Sequence, residues 1–221
     1  IFPWGVYNNT HELEYIIDQH NIIQLDPMKK YYIYKSDMPN RGVSAGVVTI
    51  IRYKPETIAI DNLPSDIIHK PGYICIRYLN NIIFNAHFVP NLPNKNQIYR
   101  GINWLNSKCA INKKQIRLDN IAIAHSVVLS MISRTGDNIW MIGDYNICRD
   151  AESILYKKLI SKFNLVDSAL VPLCTQHTLY GCIVQQQQID YILSNKQPAR
   201  DCVILKYLFP LSDHYAIDVE Y

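Results

Sequence analysis

Apolar residues fall in short runs over the early part of the chain and recur at helical spacing later. Tyr31–Tyr34 is an aromatic and β-branched run, and Val47–Tyr53 is another. The glycine-containing stretch Arg41–Gly46 between them predicts a hairpin. Tyr73–Leu79 and Ile82–Asn85 flank Asn80-Asn81, a two-residue turn signal, and predict a second antiparallel pair. Asn91–Asn96, rich in Asn with a Pro, reads as loop. From Leu118 to Ser133 the apolar Ile121, Ala124, Val128, Met131 and Ile132 keep the spacing of one helix face, and Gly136 is expected to stop the helix. Asn138–Ile142 predicts a buried strand running into Gly143-Asp144. Ala151–Phe163 predicts a second helix, with Ile154, Leu155, Leu159, Ile160 and Phe163 inward and lysines outward. Ile189–Leu193 and Ala216–Glu220 complete the strands. Hairpins first and helix–strand units later predict an α+β sandwich, two sheets face to face with helices outside. With 221 residues, a single domain over 1–221 has enough chain for a full core.

Composition narrows the class. Hydrophobic residues are 48% and charged residues 19%, which excludes a disordered chain. No apolar run reaches the roughly 18 residues that cross a bilayer. A net charge of +3 and a pI near 8.4 allow a nucleic-acid partner without arguing for one. The six cysteines include no Cys-x-x-Cys pair, which argues against a zinc site. Disulfides and buried free thiols both stay open. Ile1-Phe2-Pro3-Trp4 lacks the features of a signal peptide, so the chain reads as a processed or truncated product.

Four polar clusters stand at ends of expected strands: Asn85-Ala86-His87, Gly143-Asp144-Tyr145-Asn146, Asp190 within Gln188–Leu193, and Ser212-Asp213-His214-Tyr215. Each alone is explained by turn chemistry or a structural histidine. Together they suit phosphodiester hydrolysis. A carboxylate is needed to orient water and take its proton, oxygen ligands to hold a hard cation such as Mg²⁺, and His or Asn donors to meet charge on the non-bridging oxygens.

In this order the clusters resemble the motifs of the endonuclease/exonuclease/phosphatase superfamily: Gly-Asp-Phe-Asn at 143–146, Ser-Asp-His at 212–214, the Asp-bearing strand at 189–191, and Thr-x-His at 85–87. The run of Tyr32–Lys35 and Ser36, the Gly46–Ile51 strand, Lys70-Pro71 and Ala86-His87 is most similar to the nuclease subunit of cytolethal distending toxins. The resemblance implies a deoxyribonuclease I-like four-layer α/β/β/α sandwich of two mixed sheets. By resemblance, His214 is the general base, oriented by Asp190. His87 stabilises the phosphate or protonates the leaving oxygen, Asp144 and Asn146 orient water and phosphate, and Asp213 binds Mg²⁺, or Mn²⁺. Lys70, Asn146 and Lys30 would contact DNA phosphates. The implied activity is DNA cleavage by a secreted toxin subunit with receptor-binding partner subunits, acting in a target-cell nucleus. A phosphoinositide phosphatase and a truncated inactive binding subunit are the alternatives.

Two departures qualify these expectations. The family's early Asn strand and its Gln-Glu strand are not recognisable, which makes the chain look N-terminally incomplete and predicts weak or absent activity; Asp26 is a candidate substitute ligand, second to the reading that the chain starts after the first α/β units of the fold. Lys70 stands where the family has a phosphate-binding arginine, keeping the charge but losing the bidentate fork.

Overall fold

The computed structural model of the chain describes residues 32–36, 47–62, 72–88, 107–169, 176–179, 182–205 and 216–221. Strands β1 (Tyr32–Lys35) and β2 (Val48–Ile51) pair antiparallel, with Tyr32 opposite Ile51, as the first hairpin requires. A strand that the sequence pattern did not reveal, β3 (Thr57–Asn62), then leads into β4 (Gly72–Tyr78) and β5 (Asn81–His87). Tyr78 pairs with Asn81, so the turn residues are Leu79 and Asn80, one place earlier than the Asn80-Asn81 signal suggests. Leu79 adopts a φ of +53° to make the turn.

Helix α1 (Ser107–Met131) starts well before the expected Leu118 and ends before Gly136. Its stop comes from the residues around its last turn. The Met131 carbonyl accepts 2.8 Å from Arg77 Nη1, and Asp137 Oδ2 accepts from the amides of Ser133 and Arg134. Gly136, with φ +92°, serves the turn beyond. Strand β6 (Asn138–Asp144) follows, then α2 (Ser153–Ser161), β7 (Val166–Asp167), β8 (Gln176–Leu179), β9 (Cys182–Gln187), β10 (Asp190–Ser194), β11 (Val203–Leu205) and β12 (Ala216–Asp218). On α2, Leu155, Tyr156 and Leu159 face inward, whereas Ile154, expected inside, is exposed.

The main sheet has the order β3-β4-β5-β6-β10-β7. Among the described strands only β5 and β6 are parallel, and α1 is the crossover that a parallel pair needs. Alternation along β5 buries Ile82, Phe84 and Ala86 on one face. They meet Ile121, Ala124 and Val128 of α1 and Leu155 and Leu159 of α2 in one core. Cys75 lies in that core as a free thiol, which burial pushes up to about 12. The opposite face meets the β1–β2 hairpin, because Asn85 Nδ2 donates to the Val48 carbonyl and to Thr49 Oγ1, each at 3.0 Å. β4, flanked by β3 and β5 and covered on both faces, is buried along nearly its whole length. The architecture is the expected α+β sandwich; the remaining strand pairs are two-stranded among the described residues. No helix among them is long and apolar enough to cross a membrane.

Candidate active site

Register decides what the strand ends bring together. His87 is the in-register partner of Asp144 across the parallel β5–β6 pair, and Asp144 is the partner of Asp190 across β6–β10. Partners opposite one another have Cβ atoms about 5 Å apart, so three residues scattered over the sequence form one row at one end of the sheet. His87 Nε2 lies 3.5 Å from Asp144 Oδ2. The imidazole is 21% exposed, while Asp144 and Asp190 are buried. The row is therefore an imidazole at the solvent edge beside two sheltered carboxylates.

The backbone beneath is tightly fixed. The Phe88 amide donates 2.8 Å to the Asp144 carbonyl, and the Tyr145 amide donates 3.0 Å to the Ile189 carbonyl. Gly143 lets β5 and β6 close, since a Cβ there would stand 2.1 Å from the Ala86 carbonyl oxygen, and its φ is +124°. Past the strand, Asp144 Oδ1 accepts 2.8 Å from the Asn146 amide, an Asx-type turn that accounts for Asn146 at φ +50°. The Asn146 side chain donates 3.0 Å to the Phe88 carbonyl, so this amide ties the end of β5 to the turn.

Behind the row stands a set of residues that the sequence reading missed. Arg117 of α1 is buried, holds both carboxylate oxygens of Glu152, and donates to the Asn146 carbonyl. Asp167 of β7 accepts from Tyr156 Oη and Gln188 Nε2, each at 3.1 Å, and pairs with Arg149 at 3.5 Å. Burial raises the Asp167 carboxyl above its usual range against these contacts. The Tyr191 hydroxyl is shared between the carbonyls of Ile147, at 2.7 Å, and Gln188, at 2.8 Å. Arg117 left one readable signal: it is a charge on the stripe that continues through Ile121, Ala124 and Val128.

Of the expected site residues, His87, Asp144 and Asp190 stand together, with Asn146 at the adjoining turn. Lys30, Lys70, Asp213 and His214, and the candidate Asp26, lie outside the described residues. Among the described residues no group of three or more His, Cys, Asp or Glu side chains stands ready to hold a metal ion. The oxygen-rich character of the row suits a hard cation better than a soft one.

No protein-family model and no curated protein sequence matches the chain. Solved structures do. The 3′ phosphatase NExo of Neisseria, bound to a product DNA hairpin, superposes with a TM-score of 0.65 at 14% identity, over 100% of this chain and 96% of that one. The chain has the endonuclease/exonuclease/phosphatase fold. A protein of that family from Leptotrichia buccalis matches with a TM-score of 0.56 at 18% identity, covering 94% of this chain and 78% of its own. The cytolethal distending toxin of Haemophilus ducreyi matches with a TM-score of 0.56 at 14% identity, covering 86% of this chain and 67% of its own. The row formed by His87, Asp144 and Asp190 thus belongs to an endonuclease/exonuclease/phosphatase sandwich.

Proposed function

We propose that this chain is a metal-dependent phosphoesterase that cleaves DNA. The observation that supports the reading is the register of β5, β6 and β10, which sets one imidazole and two carboxylates side by side. In-line attack of water on phosphorus needs a carboxylate to orient the water, and a donor for the charge that grows on the phosphate oxygens. Asp144 and the Asn146 turn supply the first, and His87, open on one side, supplies the second. Asp190 would orient His214 as general base, with Lys70 and Lys30 on the DNA backbone. Mg²⁺ or Mn²⁺, held through Asp213, would supply positive charge to the phosphate.

Two fold neighbours set the substrate arms. The Neisseria structure is named a 3′ phosphatase and holds a DNA product, which favours DNA over lipid and makes a monoester at a DNA end the second reading. The Haemophilus neighbour is a toxin, and with the motif order it supports the finer reading of a secreted subunit that joins receptor-binding partners and damages nuclear DNA. The test is hydrolysis of supercoiled plasmid, of a 3′-phosphorylated hairpin and of a phosphoinositide, each with Mg²⁺ and with EDTA. Nicking that EDTA abolishes, and that His87→Ala and Asp144→Asn each lower by about 10²-fold or more, is the expected result. DNA hydrolysis untouched by either substitution, or turnover of the lipid alone, overturns the proposal.

A further inference from the structure

We infer that Arg117 and Glu152 form a clamp that positions the Asp144–Asn146 turn, making Arg117 a positioning residue of the site although it lies on a helix across the core. The inference rests on the proposed phosphoesterase reading.

The contacts form one continuous chain. The guanidinium of Arg117 meets both oxygens of Glu152, a bidentate pair, and its Nη2 also donates to the Asn146 carbonyl. Glu152 Oε2 in turn accepts 3.1 Å from the Cys148 amide. Both ends of the segment 146–152 are thereby held to one buried cation. The Asn146 peptide is fixed at its carbonyl by Arg117, while its amide is 2.8 Å from Asp144 Oδ1. That contact occupies one carboxylate oxygen and leaves Oδ2 turned toward His87. If the clamp is released, Asn146 at φ +50° is free to relax. Asp144 then loses one of the contacts that set its rotation. A burial role alone would not explain an arginine here: its side chain is 3% exposed, and burying a charge is costly unless it is paired in good geometry. An apolar residue would fill the same space. What the arginine adds is direction, since a planar fork fixes the carboxylate and the carbonyl in one plane.

The test compares Arg117→Met, Arg117→Lys and Glu152→Gln in the full chain, on plasmid and on the 3′-phosphorylated hairpin. Loss of such a supporting contact typically costs 10–100-fold in activity. The expected pattern for Arg117→Met is a kcat lower by roughly 10–100-fold with KM within about 2-fold. Arg117→Lys should restore part of it. Hydrogen exchange at the Asn146 and Cys148 amides should speed up in every variant, and this readout also serves if Arg117→Met fails to fold. Unchanged exchange at both amides in Arg117→Lys and Glu152→Gln overturns the inference, as does a kcat equal to wild type in a folded Arg117→Met. If the wild-type chain hydrolyses no substrate, the proposed function falls, while amide exchange still decides the clamp.

Discussion

Gly143→Ala tests the geometry of the site through its backbone. The new Cβ would sit 2.1 Å from the Ala86 carbonyl oxygen and 3.0 Å from Asn85 Oδ1. Carbon–oxygen contacts between strands ordinarily run about 3.3–3.6 Å, so β5 and β6 must separate by about 1 Å at this point. The obstructing atom is main chain in the centre of a sheet, so no rotamer change relieves it. A residue with a Cβ also pays roughly 1–2 kcal/mol for a left-handed φ. Parting the strands here stretches the Phe88 amide bond to the Asp144 carbonyl and at least one neighbour, each worth about 1 kcal/mol net. Together these cost about 3–4 kcal/mol, a large share of the 5–15 kcal/mol typical of a domain.

Activity should fall further than stability. The strained position lies one residue before Asp144, and widening β5 from β6 lengthens the 3.5 Å contact between His87 and Asp144. A misplacement near 1 Å can cost about 10²-fold in rate. Urea unfolding at neutral pH gives the first number, and DNA hydrolysis well below the melting temperature gives the second. A variant that unfolds within about 0.5 kcal/mol of wild type would refute the close strand approach. Full activity alongside a lowered midpoint would refute the link between that approach and the catalytic row.

Two more outcomes follow from buried charges. Arg77 is bidentate to Asp137, at 2.8 and 3.0 Å, where α1 ends and β6 begins. Arg77→Met should cost about 3 kcal/mol in urea unfolding, because it takes the bidentate partner from a covered carboxylate; the exposed Arg134 still faces Asp137 at 3.9 Å and the pair sits near the end of the sheet, which argues for the lower end of the range for a broken buried pair. The Arg77 guanidinium holds the Asp137 carboxyl well below the usual carboxylate range, so its stabilisation is complete above pH ~4 and drains away as pH falls toward the depressed value. Acid unfolding should be correspondingly flatter in Arg77→Met. Burial lowers the affinity of His125 for a proton, while its Nε2 stays 3.0 Å from the Leu159 carbonyl. The unfolded chain therefore takes up a proton first, near pH 6.5, and stability should decline as pH drops from about 7. His125→Gln, scanned by denaturation between pH 5 and 7, should lose that slope, and an unchanged slope would assign it to another group.

The sequence made the elements that bury a full face easy to read and hid those that bury little. Asn138–Asp144 and Gly72–Tyr78 announce themselves as apolar runs because the sheet interior covers them. Thr57–Asn62 escapes because it is an edge strand of the described sheet whose Ile58 and Ile60 stay exposed while the small Ala59 packs against the core, so its large apolar residues mark the wrong face. The first turns of α1 escape because Lys108, Lys113 and Lys114 interrupt the pattern that Ile121 restores. β7 and β11, of two and three residues, are too short for any period to show.

The same logic separates the readable half of the site from the rest. His87, Asp144 and Asp190 could be chosen from sequence because each stands at the end of an apolar run, where chemistry can meet solvent without interrupting a core. Their being neighbours could not be read, since it depends on the register of a parallel pair joined through α1 and of an antiparallel pair formed across more than forty residues. Arg117 and Asp167 were hidden for a stronger reason. A charged residue within an apolar pattern reads as a surface position until its partner is known, and the partners Glu152 and Tyr156 lie far enough along the chain that only the fold supplies them. Charge can be buried here because Arg117, through Nη1 and Nη2, and Asp167 each have several hydrogen bonds in place. Once those bonds are fixed they cannot follow a moving strand, and that rigidity is what a row of reacting groups needs.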